Sequence, residues 1–398
     1  MKNYLFIGEN LKIMQDEKFQ KIVSNVDTIY IDPPYNTGKH FSYNDKREVD
    51  QWLDFMKKRL IASYKILKDT GIIFISIDDN QYAYLKVLCD EIFGIKNFLG
   101  TFITMQSQRS NAKHINIIHE YIVCYAKNKK KAKTFSVKRT EIPEDKEMIE
   151  DIYKELGNSQ KENRKKTLKK MIKYYCNERK ISWLKNYSNI DENGRIFFAK
   201  DLSTPSEPRK VNIPEINLSL DPLKTRGWSS DKKFIELYKD KKLVYKNGRP
   251  YEKQLLEEAE DNAPSVLNFF SRQGGHDLEK LGLKDIFDTP KPVKLIKYLI
   301  KISTPKNGIV LDFFAGSGTT GQAVMELNKE ENAKRRFILI QQYETVNPKT
   351  KAHKICRKIN IKPVISEIAL YRLMSYIRLN SVDEQIEVLR YQEDCDFE

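Results

Sequence analysis

The four residues Asp32-Pro33-Pro34-Tyr35 constrain this chain more than any other feature. They follow a mostly apolar run, Val26 to Ile31, whose length and composition predict a buried parallel strand. The carboxyl end of such a strand is where open α/β sheets place their ligands. Pro33 and Pro34 stiffen the chain and remove backbone donors, so local carbonyls are left to accept hydrogen bonds from something else. Tyr35 offers a flat face. Together these groups describe a pocket for a planar ring that carries an amino group. A plain turn after a strand is the alternative that the four residues alone leave open.

A second motif narrows the choice. Ile309-Val310-Leu311-Asp312 reads as another short buried strand, and it runs into Phe313-Phe314-Ala315-Gly316-Ser317-Gly318-Thr319-Thr320-Gly321. A helix with Ala323, Val324 and Leu327 on one face follows. Strand, glycine turn and helix together form a nucleotide-site architecture, because the turn lets backbone approach a ligand and the helix start presents free amides. Gly316, Gly318 and Gly321 also match the spacing of a dinucleotide fingerprint, which keeps a dinucleotide-dependent oxidoreductase in view. Asp312 argues against that reading. A buried acid there repels a pyrophosphate and suits an ammonium group.

In carrying both motifs, the chain resembles the β group of S-adenosylmethionine-dependent amino-methyltransferases of DNA, in which the catalytic motif precedes the cofactor motif. The longer run Asp32 to Gly38 is similar to that of the modification (Mod) subunits of type III restriction-modification systems. Gly8-Glu9-Asn10-Leu11, His119-Glu120-Tyr121-Ile122, Asn193-Gly194-Arg195-Ile196 and Thr289-Pro290-Lys291-Pro292 are similar to further family stretches. The resemblance implies a doubly wound, mostly parallel α/β sheet with permuted motif order, an inserted target recognition region and a C-terminal helical tail. It implies methyl transfer to the N6 amino group of an adenine flipped out of double-stranded DNA. Asp32 and the carbonyl of Pro33 would hold the amino group, with Pro34 completing the turn and Tyr35 stacking on the base. Asp312, Phe314, Ala315, Gly316, Gly318, Thr319 and Thr320, with Lys291, Gln341 and Asp32, would hold S-adenosylmethionine.

Two departures from the family pattern matter. The strand Phe337 to Ile340 ends in Gln341-Gln342, where an acid usually grips the cofactor ribose; Gln341 can hydrogen-bond ribose without a charge, and Glu344 is either a substitute or a solvated loop acid. The chain is also short for a type III Mod subunit, which bears on whether a restriction subunit partners it. Cytosine N4 methylation needs the same geometry, but such members more often carry Ser at the position of Asp32. A catalytically silent DNA-binding module is the third alternative, and intact Asp32 and Tyr35 argue against it.

Composition agrees with a polyanionic partner. The 398 residues carry 70 Lys and Arg against 55 Asp and Glu, a formal net charge of +15. The dispersed cysteines form no Cys-x-x-Cys, and no His, Cys or acid set has metal-site spacing, so no metal is expected. No run approaches the ~18 apolar residues of a membrane span, and the N-terminus is not a signal peptide. A bacterial cytoplasmic, nucleoid-associated protein is expected.

Four regions are expected: a catalytic half over 1–128, a basic helical insertion with target recognition region over 129–285, a cofactor half over 286–345, and a helical segment over 346–398. Residues 105–117 read as a polar loop, with Arg109 and Lys113 suited to phosphate contact. Lys129, Lys130 and Lys131 open the basic region, and Arg195 and Arg226 are among the arginines spaced across the irregular part. Asn80 is expected to cap a helix running through Phe93. Amphipathic helices are expected over Val364 to Leu379 and Ser381 to Tyr391, either capping the core or forming a homodimer face.

Overall fold

The computed structural model describes residues 2–23, 25–37, 48–105 and 113–391. They fall into two compact units, one of residues 1–135 and 263–398, the other of residues 136–262.

The first unit is built on a sheet with nine strands among the described residues. In chain order these are β1 (Lys2–Ile7), β2 (Val26–Ile31), β3 (Leu67–Ile77), β4 (Phe98–Met105), β5 (His119–Ala126), β6 (Val266–Phe270), β7 (Ile309–Asp312), β8 (Arg336–Gln341) and β9 (Gln385–Arg390). Their spatial order is β6-β4-β5-β3-β2-β7-β8-β1-β9. Only β5 pairs antiparallel to its neighbours.

Helices cover both faces. On one side lie α1 (Asn10–Gln15), α2 (Val49–Ile66) and α3 (Tyr82–Phe93). Ile13, Trp52, Met56, Leu60 and Leu85 of these helices share a core with Ile29, Ile31, Ile73, Ile75, Ile338 and Ile340. The alternate residues of the strands face the other way. There α4 (Val293–Ser303) and α5 (Thr319–Glu331) pack. Gly321 eases that approach, since a Cβ on it would stand 2.7 Å from Leu373, 3.2 Å from Leu339 and 3.3 Å from Phe337.

Strand β2 is buried along its whole length despite Asp27 and Thr28. Both are satisfied. Asp27 accepts the Ile309 amide at 2.8 Å and pairs with Lys68 at 2.7 Å. Thr28 sits 3.0 Å from the Ser303 hydroxyl and 2.7 Å from that of Thr304. Buried polar groups with such partners carry little desolvation cost and fix the register of β2 against β7 and α4.

The C-terminal part differs from the sequence expectation. Helix α6 (Ile365–Asn380) forms as expected, but Ser381 takes a left-handed φ of 49° and ends it. Residues 385–390 then pair in parallel with β1 instead of forming a second helix. Ile386, Val388 and Leu389 fit both periods, and the exposed edge of β1 supplies a full ladder of backbone partners that a surface helix would leave unpaired. Asn80 is not a helix cap either: its amide and side chain bind Asp78 at 3.0 and 2.8 Å. Cys89, Cys124, Cys176 and Cys356 are free and buried, and no described helix is long and apolar enough to cross a membrane.

The second unit holds the helices Pro143–Asn158 and Arg164–Glu178 and a four-stranded sheet, Leu243–Lys246, Arg249–Leu255, Ile196–Asp201 and Asn189–Ile190 in spatial order. Met148, Ile152, Leu168 and Ile172 make one core, and Val211, Trp228, Phe234 and Leu237 another.

Candidate active site

Strand β2 connects through α2 to β3 on one side, and β7 connects through α5 to β8 on the other. The two strands are neighbours, so the chain leaves their carboxyl ends in opposite directions. That is the topological switch point where α/β sheets open a crevice. Asp32 follows β2 and Asp312 ends β7, so the geometry sets two acids side by side at its mouth.

The crevice is a cleft open to solvent and lined by residues of both motifs. Asp32, Pro34, Lys291, Asp312, Phe314, Ala315, Gly316, Thr319, Thr320 and Gln341 all line it. Tyr30, Phe287, Ser317 and Glu344 line it too. Pro33, Tyr35 and Gly318 do not themselves line it, and Gly318 caps the start of α5 with a φ of 82°.

Around Asp32 the side chains form one network. Lys291 Nζ lies 2.8 Å from Glu120 Oε2 and 3.3 Å from Asp32 Oδ1, and donates to the Tyr35 hydroxyl at 2.7 Å. Tyr35 in turn donates to Asp32 Oδ1 at 2.8 Å. Asp32 Oδ1 therefore receives two donors, while Oδ2 makes no hydrogen bond among the described residues. Burial pushes the Asp32 carboxyl up; Lys291 pulls it back and Glu120 pushes it further. Burial alone would lower the Lys291 ammonium, but the charges of Asp32 and Glu120 hold it above the ordinary lysine range. Burial and the same two acids push the Tyr35 hydroxyl well up, so it remains a donor. The turn itself is pinned from α2, where Trp52 Nε1 donates to the Pro34 carbonyl at 2.8 Å. Asn36 takes the left-handed φ of 58° that lets the chain turn away.

Around Asp312 the contacts are of another kind. Thr320 Oγ1 donates to Oδ2 at 2.5 Å and the Phe314 amide to Oδ1 at 3.0 Å. Burial outweighs both and pushes the carboxyl up to about 7. An acid held so reluctantly calls for a cation. The glycine turn is held by Gln341, whose Oε1 accepts the Gly316 amide at 2.7 Å. That engages the Gln341 carbonyl inside the protein, while Glu344 also lines the cleft.

Several further residues shape this site, and the sequence assigns none of them a role in it. Glu120 enters from β5, the antiparallel strand. Asn10 donates to the Phe313 carbonyl at 2.8 Å and accepts from Arg59 Nε at 2.6 Å, so the Gly8-Glu9-Asn10-Leu11 stretch supports the turn from beneath. Arg59 pairs with Glu9 and lies 3.5 Å over the Phe55 ring, which faces Phe314 at 6.0 Å. Arg372 reaches the turn from α6. Only a fold places these groups together, because they are distant in sequence and ordinary in type.

The basic residues singled out from sequence are dispersed. Arg109 lies outside the described residues, and Lys113 is exposed. Lys129, Lys130 and Lys131 are exposed at the end of β5, where Lys129 Nζ donates to the Phe98 carbonyl at 2.9 Å and Lys131 pairs with Asp69 at 2.7 Å. In the second unit, Arg195 pairs with Asp191 at 3.0 Å, and exposed Arg226 donates to the Ser203 carbonyl at 3.4 Å.

Comparison with known proteins agrees with this geometry. The model of a DNA methylase family, N6_N4_Mtase, matches residues 26–351. The type III restriction-modification enzyme EcoPI Mod subunit of Escherichia phage P1 is 33% identical over 89% of this chain and 59% of its own. The StyLTI Mod subunit of Salmonella typhimurium is 29% identical over 95% of this chain and 58% of its own. The type II methyltransferase M.KpnI of Klebsiella pneumoniae is 30% identical over 97% and 90%. The chain thus spans under two thirds of the length of the Mod subunits it matches, and nearly all of M.KpnI. The crevice between β2 and β7, the Asp-Pro-Pro-Tyr turn and the glycine turn all fall inside the matched range: the chain belongs to the N6_N4_Mtase family of DNA methylases.

Proposed function

We propose that the chain is an S-adenosylmethionine-dependent DNA methyltransferase that modifies the N6 amino group of adenine flipped out of a duplex. The observation that carries this is the pair Asp32 and Asp312 in one cleft, one acid with an open oxygen and the other poised for a cation. The residues fit the cofactor: Asp312 suits its ammonium, Phe287 and Phe314 supply aromatic wall, and Glu344 supplies an acid for the ribose. When bound, S-adenosylmethionine supplies an electrophilic methyl group.

The protein's part is positioning and charge. Adenine's amino nitrogen is a poor nucleophile because its lone pair is delocalised into the ring. Asp32 Oδ2 accepts one of its N–H bonds, and the local proline carbonyl the other, which favours a pyramidal nitrogen. Pro33 is the carbonyl so assigned, since that of Pro34 already accepts from Trp52. The raised proton affinity of Asp32 lets it take the proton that the nitrogen sheds. Lys291 and the Tyr35 hydroxyl hold Asp32 Oδ1 so that Oδ2 faces the base, and the Tyr35 ring is the stacking surface. Duplex DNA must release its base to reach this cleft. The net charge of +15 supports phosphate binding. Site choice is assigned to residues 136–262, and a restriction subunit is the partner that the Mod-like sequence implies.

Methylation-sensitive sequencing of DNA from cells expressing the chain tests this reading. Modified adenines at one recurring sequence support it, and unmodified DNA contradicts it.

A further inference from the structure

Arg372 is fully buried, yet it makes no ion pair among the described residues. Its Nε donates to Gln322 Oε1 at 2.8 Å, and Nη1 donates to Ser317 Oγ at 2.8 Å and Thr319 Oγ1 at 2.7 Å. Nη2 is buried with no hydrogen-bond partner. Burial draws the guanidinium down to about 10, and the charges of Asp277 and Glu326 only partly oppose this. A buried cation with no carboxylate in contact is costly and calls for an anion.

The anion's place is defined by the two hydroxyls. Ser317 and Thr319 line the cleft. Because each oxygen accepts from Arg372, each hydroxyl hydrogen is left to donate, and neither donates to a described group. Thr319 also opens α5, whose first amides have no partner within the helix. The same turn carries Asp312, buried and without a cation. Asp312 and Arg372 do not pair with each other. The glycine turn thus lies between a buried acid at the end of β7 and a buried base on α6, neither ion-paired among the described residues, whose charges match a zwitterion of opposite sense.

We propose that Arg372 is the positioning residue for the carboxylate of the cofactor's amino-acid end, acting through the hydroxyls of Ser317 and Thr319. Asp312 takes the ammonium of the same zwitterion. The inference rests on the cleft being an S-adenosylmethionine site, and it adds a discriminating element from the C-terminal helix, beyond the motif itself.

The test is calorimetric binding of S-adenosylhomocysteine and of its decarboxylated analogue, which keeps the ammonium and loses the carboxylate. Wild-type protein should prefer S-adenosylhomocysteine by about tenfold or more, the range of a charge-assisted contact. Arg372→Met should erase most of that preference, weakening S-adenosylhomocysteine while leaving the analogue within about twofold. Arg372→Lys, which keeps a cation but loses the fork, and Thr319→Val should each fall between the two. Equal loss for both ligands would assign Arg372 to loop packing and overturn the proposal. Equal wild-type affinity for both ligands would overturn it without any variant, so a poorly folding Arg372→Met leaves it testable. Failure of wild-type protein to bind either ligand would instead remove the cofactor reading on which it rests.

Discussion

Lys291 Nζ lies 3.3 Å from Asp32 Oδ1, so the acid assigned to the reacting base is held by a lysine from the far end of the chain. Burial raises the Asp32 carboxyl and Lys291 is the largest influence pulling it down. Lys291→Met removes that influence, so protonated Asp32 persists to higher pH. The acidic limb of the pH–rate profile should therefore move to higher pH, with the alkaline limb in place. An unmoved acidic limb would separate Lys291 from Asp32.

Asp32→Asn keeps the shape of the side chain and removes its charge. Loss of a charge-assisted contact in a closed site costs about 3 kcal/mol of barrier, roughly a hundredfold in rate. Cofactor affinity should stay within about threefold, because Asp312 and not Asp32 meets the cofactor's ammonium. Turnover near wild type on a cognate duplex would remove Asp32 from the chemistry.

The Asp312 carboxyl sits at about 7. The folded protein therefore binds its proton more tightly than the unfolded chain does. This protonation favours the folded state most at low pH, and the benefit is lost as pH rises through about 7. Binding of a cationic ligand needs the carboxylate form. Affinity for S-adenosylhomocysteine should rise with pH up to about 7 and then level off, and Asp312→Asn should be weak and flat across that range. Calorimetry at a series of pH values reads both.

The strands and helices that carry these groups were legible because their signals are local. Val26–Ile31 and Ile309–Asp312 form strands over the expected residues, and each is followed by the turn that its prolines or glycines dictate. What escaped was set by tertiary contact. Residues 385–390 are amphipathic at both periods, and the free edge of β1 decided for strand. Glu120 and Arg372 are ordinary charged residues in sequence, and burial beside groups 50 to 171 residues away gives them their interest. The Tyr35 hydroxyl is a similar case: the ring face was evident, the network behind it was not.

That network changes the expectation for Tyr35. Were stacking its sole role, Tyr35→Phe would be mild. The hydroxyl donates to Asp32 at 2.8 Å and accepts from Lys291 at 2.7 Å. Tyr35→Phe should then cost about tenfold in kcat, the value of one hydrogen bond to a charge. Tyr35→Ala should add the ~1–3 kcal/mol of a stacked base. Single-turnover rates on one duplex would rank the two.

Among Lys129, Lys130 and Lys131, the ammonium of Lys130 alone lacks a described partner, since Lys129 binds the Phe98 carbonyl and Lys131 pairs with Asp69. Neutralising all of them should lower the salt dependence of duplex binding by about one unit of slope, on cognate and random DNA alike. A loss confined to cognate DNA would place this stretch in sequence readout.

If the cleft moves a methyl group to adenine under the control of Asp32, the product itself carries the label. Duplex DNA incubated with the protein and S-adenosylmethionine carrying a deuterated methyl group can be digested to nucleosides and weighed by mass spectrometry. Wild-type protein should give labelled N6-methyladenine, and Asp32→Asn at least about a hundredfold less. Label found in N4-methylcytosine, or in no base at all, would contradict it.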